Sequence, residues 1–270
     1  MGQGESTVPS VVETAQRRLA VLETLSDGPL GVRDAVERVD RSRSTVSRAI
    51  SALEDAGFVD RVDGGYRATL AGRLAAERVR HHFETIDDLA AAGAALAPLA
   101  PDAPVGPAMV VGAEVWVADD PAPYRVNEPV SDALREAAGF RSLNATIPEP
   151  GFIQQVYERT LAGGLEGEAI ISPRVHQALQ ADFASVVAEL VETDRFRLLR
   201  ADGLRYGLLL VDRPADDPPA FLLTPDEQGR THGLLANDTP AAREWAEERY
   251  RTVRERATDV TDQYRGGDGG

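Results

Sequence analysis

The sequence contains no cysteine and no lysine, and each absence excludes a kind of chemistry. Without cysteine there is no disulfide framework, no thiolate nucleophile and no cysteine-ligated metal. Without lysine, all 29 basic residues are arginine, so chemistry based on a His-x-Lys pair is excluded. No apolar run approaches the roughly 20 residues that cross a bilayer. The first residues also lack a charged-then-apolar leader pattern, so we expect a cytoplasmic protein without membrane contact.

The acidic residues greatly outnumber the basic ones, and the excess is unevenly distributed. The chain has 44 acidic residues and a net charge of −15 over 270 residues, enough for two domains. Residues 1–80 contain 12 arginines and 12 acidic residues, whereas residues 81–270 contain 17 arginines and 32 acidic residues. The acidic, lysine-free composition resembles that of haloarchaeal proteins, whose hydrated carboxylates maintain solubility in concentrated salt. A GC-rich genome, which favours arginine codons, is the alternative explanation.

Two short amphipathic helices followed by a hairpin are predicted between residues 32 and 69. Ser42 stands where the second helix would be N-capped, and Gly57 stands at its C′ position. Strands 58–61 and 66–69 flank a predicted turn at Gly64-Gly65. Helix, tight turn, helix and hairpin is the plan of a winged helix-turn-helix. The apolar residues at helical spacing are Val32, Ala35, Val36 and Val39 in the first helix, and Val46, Ala49, Ile50 and Leu53 in the second.

The second helix presents a small, hydroxylic and basic face opposite its apolar one. Arginine contacts guanine with two hydrogen bonds, and serine or threonine bonds bases or phosphates. A solvated face on an ordinary helical hairpin is the alternative. Serine is a mediocre helix former, which disfavours a purely structural role for this face. The helix residues predicted to contact DNA are Arg43, Ser44, Thr45, Ser47, Arg48 and Ser51.

Three hairpin residues extend the predicted DNA interface. Arg61, Tyr66 and Arg67 lie where a wing would reach flanking phosphates or the minor groove. Taken singly, each is better explained as part of a plain hairpin with exposed arginines. Their position directly after the predicted recognition helix is what favours DNA contact.

The segments RSRSTVSRAISALEDAGFV and GGYRATLAG resemble archaeal winged-helix transcription regulators. The layout, with a long α/β region behind them, is similar to that of methanogenesis regulators of the FilR type and of the TrmB-like sugar-responsive regulators. In the C-terminal part the resemblance rests on layout and on segments such as GEAIISPRVHQAL and HGLLANDTPAAREW. It implies a DNA-binding regulator with a sensor domain, and it identifies no effector.

The predicted fold class is a two-domain α+β and α/β chain. We expect a winged helix-turn-helix domain over 1–69, a long linker helix within 70–104, a mixed α/β sensor or oligomerisation domain over 105–264, and a flexible tail at 265–270. The linker helix carries two alternative heptad-like seams, one of which includes Phe83 and the other Leu89. Winged-helix regulators usually bind two half-sites, so the helix is a candidate homodimer contact, with packing onto its own domain as the alternative.

The C-terminal region is predicted to alternate helices and strands after a proline-rich linker at 97–107. A hairpin is expected from 108–111 and 114–117. The other predicted elements are helices at 131–138, at 149–162, after residue 172 and from about 240 to 257, and strands at 168–171, 195–199, 205–211, 220–223 and 231–236.

Two strand-to-helix junctions are the candidate effector site. In open α/β sheets, ligands bind beyond the carboxyl ends of strands, and helix N-termini hold anions. The alternative is that these residues only cap their helices. The predicted ligand-binding residues are Ser172 and Arg174 at one junction, and Asn237, Asp238 and Thr239 at the other. Arg174 favours an anionic or phosphorylated small molecule.

Two enzyme classes share parts of this layout, and the sequence excludes both. Methyltransferases with a winged helix need a glycine-rich loop directly after a strand, whereas residues 163–167 follow a predicted helix. TrmB-like sensor domains resemble phospholipase D-like folds, whose enzymes use a His-x-Lys pair that this chain cannot form. His176 and His232 have no evident catalytic partner, and the aspartate pairs at 119–120 and 216–217 fit solvated turns. No catalytic residue, metal or cofactor is expected.

The sequence therefore predicts a sequence-specific transcription regulator with double-stranded DNA as partner and an effector-responsive C-terminal domain. The alternative is a winged-helix protein-interaction scaffold that never contacts DNA.

Overall fold

The computed structural model describes residues 8–119, 121–213 and 218–265. The chain divides into two compact units, Met1–Ile86 and Asp87–Gly270, which are described separately. The tail predicted for 265–270 lies, beyond Arg265, outside the described residues. Most of the aspartate positions predicted to form solvated turns at 119–120 and 216–217 also lie outside them, and only Asp119 is described.

The first unit contains helices, a hairpin and the start of a long helix. The predicted order of helix, turn, helix and hairpin is present. The elements are α1 (Val8–Arg17), α2 (Leu19–Thr24), α3 (Val32–Val39), α4 (Arg43–Asp55), β1 (Val59–Val62), β2 (Gly65–Ala68) and α5 (Leu70–Ala91), the last of which continues into the second unit.

The apolar residues of the first unit form one core around α4. Val46 and Leu53 have no exposed surface, and Ile50 is 2% exposed. They pack against Leu22 of α2 and against Leu25, which directly follows that helix. Burying a side chain of this size stabilises the fold by about 1.5–3 kcal/mol. This core fixes which side of α4 faces outward.

Both predicted ends of α4 are confirmed. The Ser42 hydroxyl accepts a hydrogen bond from the Thr45 backbone N–H at 3.2 Å, as expected of an N-cap. At the other end Gly57 has φ +74°, in the left-handed region that a C′ glycine provides without strain. The helix therefore begins and ends where local sequence signals place it.

The hairpin turn is one residue earlier than predicted. Val62 pairs with Gly65, so the two turn residues are Asp63 and Gly64. Gly65 has φ +139°, and a Cβ at this position would lie 2.2 Å from the Leu30 backbone oxygen. Tyr66 and Leu30 exchange two backbone hydrogen bonds of 2.9 Å. Gly65 is therefore needed as a strand residue, where only glycine allows the close approach of the segment before α3.

The second unit is built on one sheet with helices on both faces. Its helices are α6 (Gly93–Leu96), α7 (Pro107–Val110), α8 (Glu128–Arg135), α9 (Pro150–Leu161), α10 (Pro173–Asp182), α11 (Ala184–Glu192) and α12 (Pro240–Arg254). Its strands are β3 (Glu114–Val117), β4 (Gly139–Asn144), β5 (Glu166–Ile171), β6 (Phe196–Arg200), β7 (Gly207–Asp212), β8 (Ala220–Pro225), β9 (Thr231–Asn237) and β10 (Thr258–Asp259).

The sheet has eight strands in the order β10-β6-β5-β4-β7-β8-β9-β3. Strands β4, β5 and β6 are parallel, and the remaining neighbours pair antiparallel. Neighbouring residues of one strand enter different cores: Leu209 joins the core under α8 and α9, while Leu208 and Leu210 join the core under α12. Because both faces are covered, the central strands are continuous apolar runs.

Several predicted elements of this unit were wrong or absent. Residues 107–110 form a short helix instead of the first strand of a hairpin, because Pro107 stands at N1, where its fixed φ suits a helix. The linker predicted at 97–107 is packed: Leu99 and Val105 contact the core, and the Tyr206 hydroxyl donates to the Pro104 oxygen at 2.6 Å. The long helix ends at Ala91 instead of near residue 96. Strand β4 and helix α11 were not predicted.

A bidentate ion pair joins the sheet to α12. The Glu168 side chain on β5 is 15% exposed and accepts hydrogen bonds from Arg254 at 2.5 and 3.0 Å and from the Tyr250 hydroxyl at 2.6 Å. Burial disfavours the charged carboxylate, but the hydrogen bonds from Arg254 and Tyr250 outweigh it and lower the pKa of Glu168. The charged form of Glu168 therefore stabilises the folded state.

We predict that Glu168→Gln lowers the free energy of unfolding by about 1.5–3 kcal/mol at pH 7, since it removes charge-assisted hydrogen bonds. The folded pKa lies below the unfolded value of 4.5, so this stability is present above about pH 4.5 and is lost as pH falls through the folded pKa. Urea titrations between pH 3.5 and 7 should show that the free energies of unfolding of wild type and variant converge as the pH falls. The exposed Glu255→Gln is the control, and an equal difference at both ends of the range contradicts the account.

Candidate nucleic-acid interface and ligand cavity

The outward face of α4 carries the residues predicted to read DNA. Because Val46, Ile50 and Leu53 point into the core, the opposite side faces solvent. Five of the six predicted helix residues are exposed, and Ser47 is half-buried. The exposed residues are Arg43, Ser44, Thr45, Arg48 and Ser51.

Hydroxyl groups and guanidinium groups lie together at the start of this face. The Ser42 hydroxyl is 3.0 Å from that of Ser44 and 2.8 Å from that of Thr45. The Arg48 Nε donates to the Ser44 backbone oxygen at 3.2 Å, which leaves its terminal nitrogens free of that bond. Within the described residues neither Arg43 nor Arg48 forms an ion pair. Their charges are therefore available to an external acceptor.

The hairpin places two of its three predicted residues in solvent. Arg61 and Arg67 are exposed, on β1 and β2 respectively. Arg67 is the cross-strand partner of Asp60, which partly offsets its charge. Tyr66 is half-buried and packs against the core. Its ring is therefore first a structural contact, and sequence reasoning could not detect this because the bridge to Leu30 is not local.

The two predicted ligand junctions lie at opposite ends of the sheet. Strand β9 runs antiparallel to β8, β8 to β7, and β7 to β4, while β4 is parallel to β5. The carboxyl ends of β5 and β9 therefore point in opposite directions. Ser172 and Arg174 consequently cannot share one pocket with Asn237, Asp238 and Thr239, and the composite site expected from the sequence is corrected.

The polar groups at these junctions are mostly occupied by the fold. The Asn237 amide donates to the oxygens of Ala108, Met109 and Val111 and accepts from Thr239. Thr239 in turn caps α12. Ser172 caps α10 and donates to the Ala145 oxygen at 3.1 Å. Arg174 and Asp238 are exposed. Helix capping, the alternative weighed for these residues, accounts for Ser172 and Thr239.

A cavity of about 440 Å³ opens at the end of the sheet where β4 ends, which is also the end where Ser172 lies. Strands β4, β7 and β8 form its floor, and α8, the first turn of α9 and residues 145–149 form its walls. Its volume falls in the range of small-molecule sites. Its apolar lining includes Leu209, Leu223 and Phe152. The cavity is therefore a better candidate ligand site than the predicted junctions.

Several uncharged polar side chains line the cavity, among them Asn127, Ser142 and Asn144. The Asn127 Nδ2 is buried and has no hydrogen-bond partner among the described residues. Ser142 is 2% exposed, and its hydroxyl oxygen accepts from the Asn144 amide at 2.9 Å. A buried donor without a partner costs about 1–3 kcal/mol, which a ligand acceptor would recover. Sequence reasoning missed Ser142 and Asn144 because β4 was not predicted, although Phe140 and Leu143, both buried, lie on that strand.

The charged residues at the cavity are mostly acidic. Glu128, Asp132 and Glu149 line it, and Arg135, its one basic lining residue, pairs with Asp132 at 2.8 Å. This arrangement disfavours an anionic occupant. It replaces the anionic ligand expected from Arg174, which does not line the cavity.

The described residues bring no three histidine or carboxylate side chains together in a way that could hold a metal ion. His176 is 5% exposed, and burial lowers its pKa. The His232 Nε2 lies 3.1 Å from the Ala94 oxygen. Across the described ranges no helix combines the length and apolar content needed to span a membrane.

Comparison with known families matches both parts of the chain. Residues 10–90 match the HVO_A0261 N-terminal domain, and residues 123–256 match the middle domain of the methanogenesis regulatory protein FilR1. The chain belongs to the archaeal FilR-like regulators. The family inferred from the α4 and hairpin motifs is thereby confirmed.

Individual relatives are distant or short. An uncharacterized protein of Methanocaldococcus jannaschii, MJ1503, is 45% identical over 49 residues, which span 16% of this chain and 37% of that protein. The solved structure of TrmBL2, described as an archaeal chromatin protein, is 14% identical, covers 94% of this chain and all of its own, and has a TM-score of 0.41. The phospholipase D family member Nuc from Salmonella typhimurium is 10% identical over 55% of this chain and 97% of its own, with a TM-score of 0.42. No function is transferred from these similarities.

Proposed function

We propose that this regulator recognises specific double-stranded DNA sequences with a winged helix-turn-helix, in which α4 enters the major groove and the β1–β2 hairpin is the wing. The observation that carries the proposal is the composition of the exposed face of α4. That face offers the unpaired guanidinium groups of Arg43 and Arg48 beside the hydroxyls of Ser44 and Ser51. These groups form the hydrogen bonds by which helices read base edges.

Base contacts would supply a larger share of the affinity than in most DNA-binding domains. Residues 1–80 carry equal numbers of arginines and acidic residues, so the first unit has little net attraction for the phosphate backbone. Acidic compositions of this kind are typical of proteins that function in concentrated salt. Such salt weakens the attraction for the phosphate backbone further. Specific hydrogen bonds are affected less, which favours a sequence-specific regulator over a general DNA-coating protein.

An electrophoretic shift assay with genomic fragments in molar potassium chloride tests this proposal. Retention of a few fragments that outcompete bulk DNA supports it. The alternative function, a protein-interaction scaffold, predicts no shifted fragment at any salt concentration at which the protein is folded.

We predict that Arg43→Ala and Arg48→Ala each weaken binding to a retained fragment by about 1–3 kcal/mol and bring its affinity closer to that of random DNA. Arg67→Ala, assigned to phosphate, should weaken both kinds of DNA evenly. Fluorescence anisotropy with both duplexes measures this, with Arg78→Gln on α5 as the control. Wild-type affinity in both alanine variants would show that α4 is oriented differently.

The proposal includes a homodimer formed through α5. Phe83 is 42% exposed, and Ile86, which both predicted seams share, is 49% exposed, whereas Leu89 and Leu96 of the other seam pack within the second unit. Of the two heptad-like seams, the one containing Phe83 is therefore uncovered. Two half-sites, one for each protomer, are the usual target of such regulators.

We predict that Phe83→Glu converts a dimer into a monomer, because it places a charge in an apolar contact. Sedimentation velocity measures the change. Glu84→Gln, on the adjacent exposed position, should leave the dimer intact. A wild-type chain that sediments as a monomer at micromolar concentration, or a dimer unaffected by Phe83→Glu, contradicts this seam.

The proposal also assigns an effector to the 440 Å³ cavity. The unpartnered Asn127 amide donor and the acidic rim favour an uncharged molecule that accepts hydrogen bonds. Occupancy would change the position of α8 or α9, the two helices that form its walls. A response to an effector requires two conformations that differ in their affinity for it, and a shift of α8 or α9 would provide them.

We predict that Gly151→Trp abolishes effector response without destabilising the fold. Gly151 lines the cavity, and a Cβ built there meets no atom within 4 Å, so a larger side chain can occupy the space. Chromatin immunoprecipitation across growth conditions would show wild-type occupancy that varies and variant occupancy that is constant. The control is Gln154→Trp, on an exposed position of α9 that does not line the cavity. A variant that responds like wild type contradicts the assignment.

A further inference from the structure

Among the residues that the structure describes, four arginines and no carboxylate line a depression of about 360 Å³ beside α4. It lies between the α1–α2 junction, the end of α3 and one side of α4. Its floor is formed by small or apolar residues such as Ala20, Val39 and Ala49. The arginines that surround it are Arg17, Arg18, Arg41 and Arg48, with the Thr45 hydroxyl beside them.

Two features of the backbone bring these arginines together. The helical start of the chain is interrupted at Arg18, which has φ −118° and ψ 18° and separates α1 from α2. Helix α3 ends at Asp40 in the left-handed conformation, with φ 52°, which a non-glycine residue rarely adopts. Arg41 follows directly and lines the depression. The junction before α2 and the end of α3 therefore place Arg18 and Arg41 beside the same side of α4.

Three of the four arginines of this cluster form no ion pair within the described residues. Arg17 pairs with Glu13 at 2.5 Å, but Arg18, Arg41 and Arg48 form no ion pair within the described residues. In a chain with 44 acidic residues, a site whose charged lining residues are all arginine departs from the general pattern. Clustered like charges repel one another unless an anion lies between them.

We propose that this depression is an anion site for the DNA backbone, in which Arg18 and Arg41 bind phosphodiester oxygens of the strand that flanks the base-reading face. The inference rests on the proposed function. Thr45 and Arg48 belong both to the outward face of α4 and to the rim of the depression, so DNA in contact with α4 passes beside it. Planar guanidinium groups bind phosphate through two parallel hydrogen bonds. The site fixes the register of α4 on the duplex and carries no sequence preference.

The test uses full-length Arg18→Gln and Arg41→Gln, with Arg78→Gln on α5 as the matched control. Anisotropy is measured on a retained fragment and on random duplex over the potassium chloride range in which the protein is folded. Each variant should bind both duplexes roughly fivefold to tenfold more weakly, with the specificity ratio unchanged, and the slope of log K against log salt should fall by about 0.9. Thermal melts confirm folding, and exposed Arg41 keeps the test valid if Arg18→Gln is destabilised.

Three outcomes overturn the proposal and are distinguishable from one another. If a folded Arg41→Gln variant binds DNA with wild-type affinity and a wild-type salt slope, the phosphate site is excluded, and the proposed DNA binding is unaffected. A fall in the specificity ratio shows that these arginines read bases instead. Absence of wild-type binding to any DNA refutes the proposed function and this inference with it.

Discussion

Burial of Val46, Ile50 and Leu53 is the constraint on which the first unit depends. These side chains are almost completely removed from solvent, so α4 has one rotational position in which the core is filled. That position exposes Arg43, Ser44 and Arg48 together. The surface available to DNA is thus a consequence of core packing, and a rotation of α4 would expose apolar residues at a cost of several kcal/mol.

The local part of this structure could be predicted, and the part that depends on strand order could not. The N-cap at Ser42 and the C′ glycine at Gly57 are signals contained in a few residues, and both were confirmed. The hairpin turn was misplaced by one residue because Gly64 and Gly65 both tolerate a turn, and only the contact with Leu30 distinguishes them. The two predicted ligand junctions lie at opposite ends of the sheet because the direction of each strand is set by pairing across the whole sheet.

The charge distribution assigns different physical roles to the two units. The first, residues 1–86, has 12 arginines and 13 acidic residues and concentrates arginines around one side of α4, whereas the second, with 17 arginines and 31 acidic residues, carries nearly all of the net charge. In the proposed function, the acidic surface of the second unit would repel DNA, so contact would fall to the first unit. The acidic rim of the cavity likewise disfavours anions, so the acidic composition bears on both of the proposed partners.

Genome-wide mapping of binding sites in cells tests the central claim most directly, because it asks whether the exposed face of α4 distinguishes sequences. The account predicts a limited number of sharp peaks that share a motif with two related half-sites separated by about one or more turns of the double helix. Uniform occupancy along the chromosome would contradict sequence-specific recognition and indicate a DNA-coating role. Absence of enrichment at any site would contradict DNA binding itself.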